Sequence, residues 1–204
     1  MKPLAARLAA YEVFFPLVAV AAVVAILLSR FAFSGAWTPP GGLAPHLWHA
    51  HELLFGHFPA AFGAVMLTAI PRWTGRPALA PAPLLALAAL WVAGRAALLF
   101  AGTDPAPLFV APLFPLALAL AAARPILAAR DTRNLGFPAL LVAFAGGETL
   151  FLLGESDLGL RLGLAAAALA AVVMGGRVAP ALTRHLAQSR GTTPAPPLAE
   201  PLDP

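Results

Sequence analysis

The chain has no cysteine and few charged residues, and each shortage excludes a class of protein. Without cysteine it forms no disulfide, no thiolate metal site, no CxxCH attachment of haem and no cysteine nucleophile. Charged residues make up 11% of its 204 residues, whereas about 25% is usual in a soluble domain. Hydrophobic residues make up 60% and the mean hydropathy is +0.83, so the composition predicts an integral membrane protein.

The basic balance of the chain does not indicate a nucleic-acid partner. The net charge is +4 and the isoelectric point is about 11.0. Nucleic-acid binding needs lysine and arginine clustered on one exposed face, but here they are scattered between apolar stretches. We therefore expect the lipid bilayer to be the main environment of the chain, and no nucleic acid to be bound.

Six stretches have the length and apolar character of membrane-spanning helices, which need about 20 mainly apolar residues. They predict an all-α, polytopic bundle over residues 1–187. The predicted spans are about 12–34, 47–70, 83–101, 106–123, 136–153 and 159–180. The remaining segment, 188–204, is rich in proline and has no apolar face, so it is predicted to be a disordered tail.

The positive charges alternate between the two ends of the predicted spans. Short loops rich in lysine and arginine favour the cytoplasmic side. The positive loops contain Lys2 and Arg7, Arg72 and Arg76, Arg124 to Arg133, and Arg184 and Arg190. Both termini are therefore predicted to be cytoplasmic, and the start of the second span is predicted to lie at the outer surface.

Four of the chain's five histidines lie in residues 44–57, APHLWHAHELLFGH, where the second span begins. At about 100° per helical residue, His49 lies about 60° from Glu52 and about 80° from His57, so these three share one broad face. His51 points about 160° away from His49. The pattern predicts two centres, or one centre and one supporting residue, since His49 and His57 are also about 12 Å apart along the axis.

The sequence HELLF does not form a zinc-protease motif, because Phe55 occupies the position that HExxH requires to be histidine. Two other ionisable residues lie well inside spans, where such groups are costly and usually face the bundle interior. Arg95 needs a buried anion, either Glu52, Glu148 or the propionate of a porphyrin. Glu148 either relays protons or only forms a hydrogen bond between helices.

Five motifs, in this order along the chain, resemble the NnrS family of bacterial membrane proteins. They are WHAHELLFG at 48–56, LTAIPRWTGRP at 67–77, WVAGR at 91–95, ARPILAARDTRNLGF at 123–137 and GGRVAPALTR at 175–184. The resemblance covers most of residues 10–187 and is to the amino-terminal half of longer family members.

The resemblance implies a haem- and copper-containing protein of the bacterial inner membrane, linked to the nitric oxide response. It makes His49 and His51, with Glu52 beside them, the expected ligands or supporting residues of haem b and possibly copper. Arg95 and Arg177 match the family's arginines and are expected to contact the cofactor. His46 and His57 are further metal-ligand candidates, although the shared motif lacks them.

The function that the resemblance implies is the binding or the reduction of nitric oxide, and reduction would make the chain an oxidoreductase. Glu52 and Glu148 would carry protons, and an electron donor that the sequence does not identify would be needed. A homodimer is possible, because ligands from a second half would otherwise be missing. The alternatives are a transporter or channel for a small solute, metal or haem, and a structural partner of a longer relative. The GxxxG of Gly159 and Gly163 would favour that last role.

Overall fold

A computed structural model describes residues 8–100 and 105–190, with side chains in the last helix up to Gly176, at 183 and at 186–190. This part of the chain is helical and contains no strand. Its α-helices are α1 (Ala10–Phe33), α2 (Pro45–His51), α3 (Phe58–Thr74), α4 (Pro81–Phe100), α5 (Ala106–Val110), α6 (Leu113–Ala128), α7 (Gly136–Leu152) and α8 (Ser156–Ser189). Short 3₁₀ turns occur at Pro40–Gly42 and Thr132–Asn134, and a π-helical turn, Glu52–His57, joins α2 to α3.

Six segments are long and apolar enough to cross a membrane, which confirms the predicted all-α bundle and its six spans. They are Ala10–Phe33, Pro45–Thr74, Pro81–Phe100, Ala106–Ala128, Thr132–Leu152 and Ser156–Gly176. Each boundary lies within a few residues of its predicted position. The cytoplasmic location of both termini stays a prediction.

The second span is the centre of the bundle, and the first is its most exposed member. In the most apolar window of each, 56% of residues are buried for Pro45–Thr74 but only 22% for Ala10–Phe33. Aromatic rings join α3 to α7, with ring centroids 5.4 Å apart for Phe58 and Phe144. Residues near the start of the second span are therefore held in place by neighbours on several sides.

The π-helical turn is caused by Pro59, which lies two residues beyond the end of the turn. Pro59 has no N–H, and its ring clashes with the carbonyl of Phe55 in a regular α-helix. The backbone N–H of Phe58 instead donates to the carbonyl of Leu53, which is a π-type bond to the fifth residue back. The α-helical angle of about 80° predicted between His49 and His57 was therefore wrong, because it assumed regular geometry through this turn.

Glycines allow α7 and α8 to approach at backbone distance. A Cβ atom on Gly159 would lie 2.5 Å from the carbonyl oxygen of Gly147, and one on Gly163 would lie 2.6 Å from the ring of Phe55. The GxxxG of Gly159 and Gly163 thus packs inside this chain. The interpretation that it serves a partner protein was wrong, because both glycines are already covered.

The chain divides after Ala167 into two compact units, of which the first contains the packing described above. The second unit begins at Ala168, and its described part is the continuation of α8 to Ser189 and a turn residue, Arg190. The predicted disordered tail begins at 188, but residues 191–204 lie outside the described residues.

Candidate functional site

Four ionisable side chains from three spans meet near the middle of the bundle. They are His51 at the end of α2, Glu52 at the start of the π-helical turn, Arg95 on α4 and Glu148 on α7, and we call them the charge cluster. The side chains of His51 and Glu148 are each 1% exposed. Groups that are costly in an apolar interior are here brought together so that they compensate one another.

Arg95 connects the two carboxylates of the charge cluster. Its Nη1 donates to Oε1 of Glu52 at 3.1 Å, and its Nη2 donates to Oε1 of Glu148 at 2.7 Å. Of the three buried anions predicted for Arg95, the structure therefore pairs it with the two carboxylates, Glu52 and Glu148. With His51 neutral and both carboxyl groups ionised the cluster has one positive and two negative charges, so one additional proton makes it neutral.

His51 lies between the carboxylates and two phenyl rings. Its Nδ1 is 3.4 Å from Oε1 of Glu52, and its Nε2 is 3.6 Å from Oε1 of Glu148. Its ring centroid is 5.3 Å from that of Phe55 and 4.7 Å from that of Phe151. The imidazole is thus enclosed by rings and by the charge cluster, and its Nε2 has no hydrogen-bond partner among the described residues.

The π-helical turn positions Arg95 through its glycine. A Cβ atom on Gly56 would lie 2.8 Å from Nη1 and 3.2 Å from Cδ of Arg95, so a larger residue at this position would displace the guanidinium from its present path. The carbonyl oxygen of Gly56 accepts a hydrogen bond of 2.8 Å from the indole N–H of Trp91, one turn before Arg95 on α4. Gly56 therefore fixes the position of α4 along its axis, through Trp91, and also the path of the Arg95 side chain.

His49 faces α1 and lies in a different environment from His51. The hydroxyl of Ser29 donates its only hydrogen to the carbonyl of Ala25 at 2.7 Å, so its oxygen is an acceptor for Nδ1 of His49 at 2.8 Å. This arrangement places the ring proton of a neutral His49 on Nδ1 and leaves a lone pair on Nε2. The side chain is half-buried, and metal-ligating histidines commonly have this second-nitrogen hydrogen bond.

A small cavity lies between α1 and the charge cluster. It has a volume of about 80 Å³, and its lining includes Ala21 and Ala25 of α1 together with Trp48, Glu52 and Arg95. The indole N–H of Trp48 and the Nε–H of Arg95 are buried and have no hydrogen-bond partner among the described residues. The cavity can hold a few waters or a diatomic molecule, but it is far below the roughly 300–1,000 Å³ of cofactor sites.

A second cavity, of about 420 Å³, lies above Phe151 at the end of the bundle where α2 begins. Its lining includes Leu43, Leu98, Leu108 and Leu152. Its size would suit a cofactor, but none of its described lining residues is a histidine or carboxylate. It therefore offers apolar space close to His51 without a ligand for a metal.

Of the remaining site candidates, neither His46 nor His57 belongs to the charge cluster. His46 is exposed in the first turn of α2, and His57 is half-buried with no hydrogen-bond partner for its Nδ1 among the described residues. Arg177 lies on α8, where its side chain is outside the described residues. Within the described part of the chain, no group of three or more His, Cys, Asp or Glu side chains is placed to hold a metal ion.

Sequence reasoning missed Ser29, Trp48 and Trp91 as site residues. Ser29 is a lone hydroxyl in an apolar span, and its position near the level of the histidines was the available signal. Trp48 lies near the start of the second span, yet its side chain is 4% exposed and lines the small cavity. No sequence signal indicated that Trp91 would bond to the widened turn.

The fold and the site define an integral membrane protein whose six-span bundle encloses a charge cluster, with a half-buried histidine, His49, hydrogen-bonded to Ser29 nearby. The chain belongs to the NnrS family, since the model of the family described as NnrS protein matches residues 6–202, nearly the whole chain. This membership is consistent with a membrane protein of the nitric oxide response. No curated protein and no solved structure matches the chain.

Proposed function

We propose that this protein is a membrane-embedded haem protein that binds nitric oxide, and that His49 is its iron ligand. Family membership supports the nitric oxide response, and the Ser29 hydrogen bond to His49 is the structural observation that carries the ligand assignment. Haem would supply an iron with an open position for the gas. Imidazole nitrogen is a usual ligand for such an iron.

The residues fit this group at His49 and not at His51. The bare Nε2 of His49 is on a half-buried side chain, whereas His51 is enclosed by Phe55, Phe151 and the charge cluster. The 80 Å³ cavity is too small for a porphyrin. A haem held by His49 would therefore need space outside that cavity.

Copper does not fit the described residues. No three ligands are close together in them, and the guanidinium of Arg95 lies against the carboxylates nearest His51. A second cation would meet this positive charge at short range. We therefore leave copper out of the proposal for this chain.

The charge cluster and the small cavity would support the chemistry at His49 in separate ways. The cavity gives a diatomic molecule an apolar space with two unpaired N–H donors, on Trp48 and Arg95. Glu52 lines the cavity, and the imidazole of His51 lies between Oε1 of Glu52, at 3.4 Å, and Oε1 of Glu148, at 3.6 Å, so it would pass a proton between the two carboxyl groups to the cavity wall. Reduction of nitric oxide would draw that proton and would also need an external electron donor.

The test is the absorption spectrum of the purified full-length protein in detergent, with and without nitric oxide. We expect a Soret band that shifts when the gas is added. His49→Ala and His49→Gln should lose the band, whereas His51→Gln should keep it. His46→Ala is the matched control, because it removes an exposed histidine three residues away.

Two results would overturn the proposal: a wild-type protein without a Soret band, or a band that both His49 variants retain. Circular dichroism should first show that the variants are as helical as the wild type. Solute flux in proteoliposomes by a pigment-free protein would instead favour the transporter alternative.

A further inference from the structure

A third cavity lies far from the charge cluster, at the end of the bundle where α3 ends, α4 begins and α6 ends. It has a volume of about 520 Å³, within the range of ligand sites. Its walls include Leu67 and Ile70 of α3, Leu87 and Leu90 of α4, and Leu120 of α6. We call it the inner groove, because the positive loops predict that this end faces the cytoplasm.

Arg124 is the only charged residue among the described residues that line the inner groove. Arg76 lies in the loop that closes the same end, where its Nη2 donates to the carbonyl of Ala128 at 2.6 Å and ties the loop to the end of α6. Neither arginine is paired with a carboxylate in the described part of the chain. Two uncompensated positive charges therefore lie beside a hydrocarbon-lined space.

These features specify an amphiphile with an apolar body and an anionic head. Hydrocarbon walls favour a chain that brings no polar group into the groove, and unpaired arginines favour a phosphate at its end. The membrane itself supplies such a molecule at this depth, since basic pockets between helices on the cytoplasmic side bind lipid head groups.

We propose that the inner groove is a binding site for one anionic phospholipid, with an acyl chain along α3, α4 and α6 and the phosphate at Arg124. The site is independent of the proposed haem function, because it uses the first half of α4 and the charge cluster uses the second half. It assigns Arg124 and the loop containing Arg76 a role in holding one lipid rather than in general contact with the bilayer.

The experiment is native mass spectrometry of the delipidated full-length protein, titrated with phosphatidylglycerol or with phosphatidylcholine of the same acyl chains. The wild type should bind phosphatidylglycerol more tightly. Arg124→Gln should lower that affinity about fivefold and leave phosphatidylcholine unchanged. Ala121→Phe, which fills the groove, should weaken both lipids.

Arg133→Gln is the matched control, since it removes the same charge from an arginine at the same end that is 90% exposed and does not line the groove. Arg124→Lys should retain most of the preference. Equal affinity of the wild type for the two lipids would overturn the proposal, as would full preference in Arg124→Gln. Inorganic phosphate that competes as well as phosphatidylglycerol would show a simple anion site instead.

Discussion

His49 and His51 are two residues apart on one helix, and their surroundings differ in almost every respect. His49 is half-buried, has one hydrogen bond to Ser29 and keeps a bare nitrogen. His51 is 1% exposed, lies against two carboxylates and two phenyl rings, and belongs to a network of charges. The comparison teaches that two imidazoles of one motif can have different surroundings: one keeps a nitrogen without a partner, and the other is part of a buried charge network that joins three spans.

The largest effect on stability should come from removing the positive charge of Arg95, which lies in the charge cluster with His51. Arg95→Met leaves Glu52 and Glu148 without their cation, which should destabilise the protein by about 3 to 5 kcal/mol. Thermal unfolding in detergent measures this. The control is Arg161→Met, which breaks an exposed pair with Asp157 and should change stability little. Equal effects of the two substitutions would contradict a structural role for the charge cluster.

On the His49 side, Ser29→Ala should weaken haem binding without removing the ligand. Loss of the acceptor for Nδ1 frees the ring to rotate and change tautomer, so haem affinity should fall about 10- to 100-fold. Titration of the apoprotein with haem, followed by absorbance, measures it. Ser34→Ala is the control, because that hydroxyl bonds only to the carbonyl of Phe31. An unchanged haem affinity in Ser29→Ala would show that Ser29 does not position His49 as a ligand.

The packing that encloses His51 should be sensitive to a single methyl group. Gly159→Ala would place a Cβ 2.5 Å from the backbone of Gly147 and should destabilise the protein by about 1 to 3 kcal/mol. Gly146→Ala is the matched control, since its Cβ would meet only Leu162, at 3.8 Å. Thermal unfolding of both variants tests this. The expectation would be contradicted if Gly146→Ala lowered the stability and Gly159→Ala did not.

The smallest effect should follow from Trp91→Phe. This change keeps the aromatic ring but leaves the carbonyl of Gly56 without its side-chain donor, at a cost of about 1 kcal/mol. The loss should appear in thermal unfolding, while the spectrum of haem on His49 should be unchanged. A lost Soret band in Trp91→Phe would show that the two histidines are not independent.

The spans were predictable from the sequence, because an apolar stretch of sufficient length needs no knowledge of its neighbours. The opposite directions of His49 and His51 were also predictable, since α2 is regular between them. The partners were not predictable: Arg95 had three candidate anions, Glu52, Glu148 and a porphyrin propionate, and only tertiary packing shows that it binds both carboxylates. The π-helical turn escaped prediction because periodicity assumes a constant angle per residue, and Pro59 breaks that assumption locally.

The π-helical turn has a consequence for how the two histidines are aimed. It contains one residue more than a regular helix would use to join α2 to α3, so the two halves of the span have different rotational phases about one axis. Deleting one residue between Leu53 and Gly56 would let a regular α-helix make the same join, so His49 and His51 would keep their directions relative to α3. With every residue kept, a change of this turn to regular α-helix would rotate both histidines by about 100° relative to α3. The π-helical turn, which follows the two histidines within the same span, thus sets the directions of His49 and His51 relative to α3.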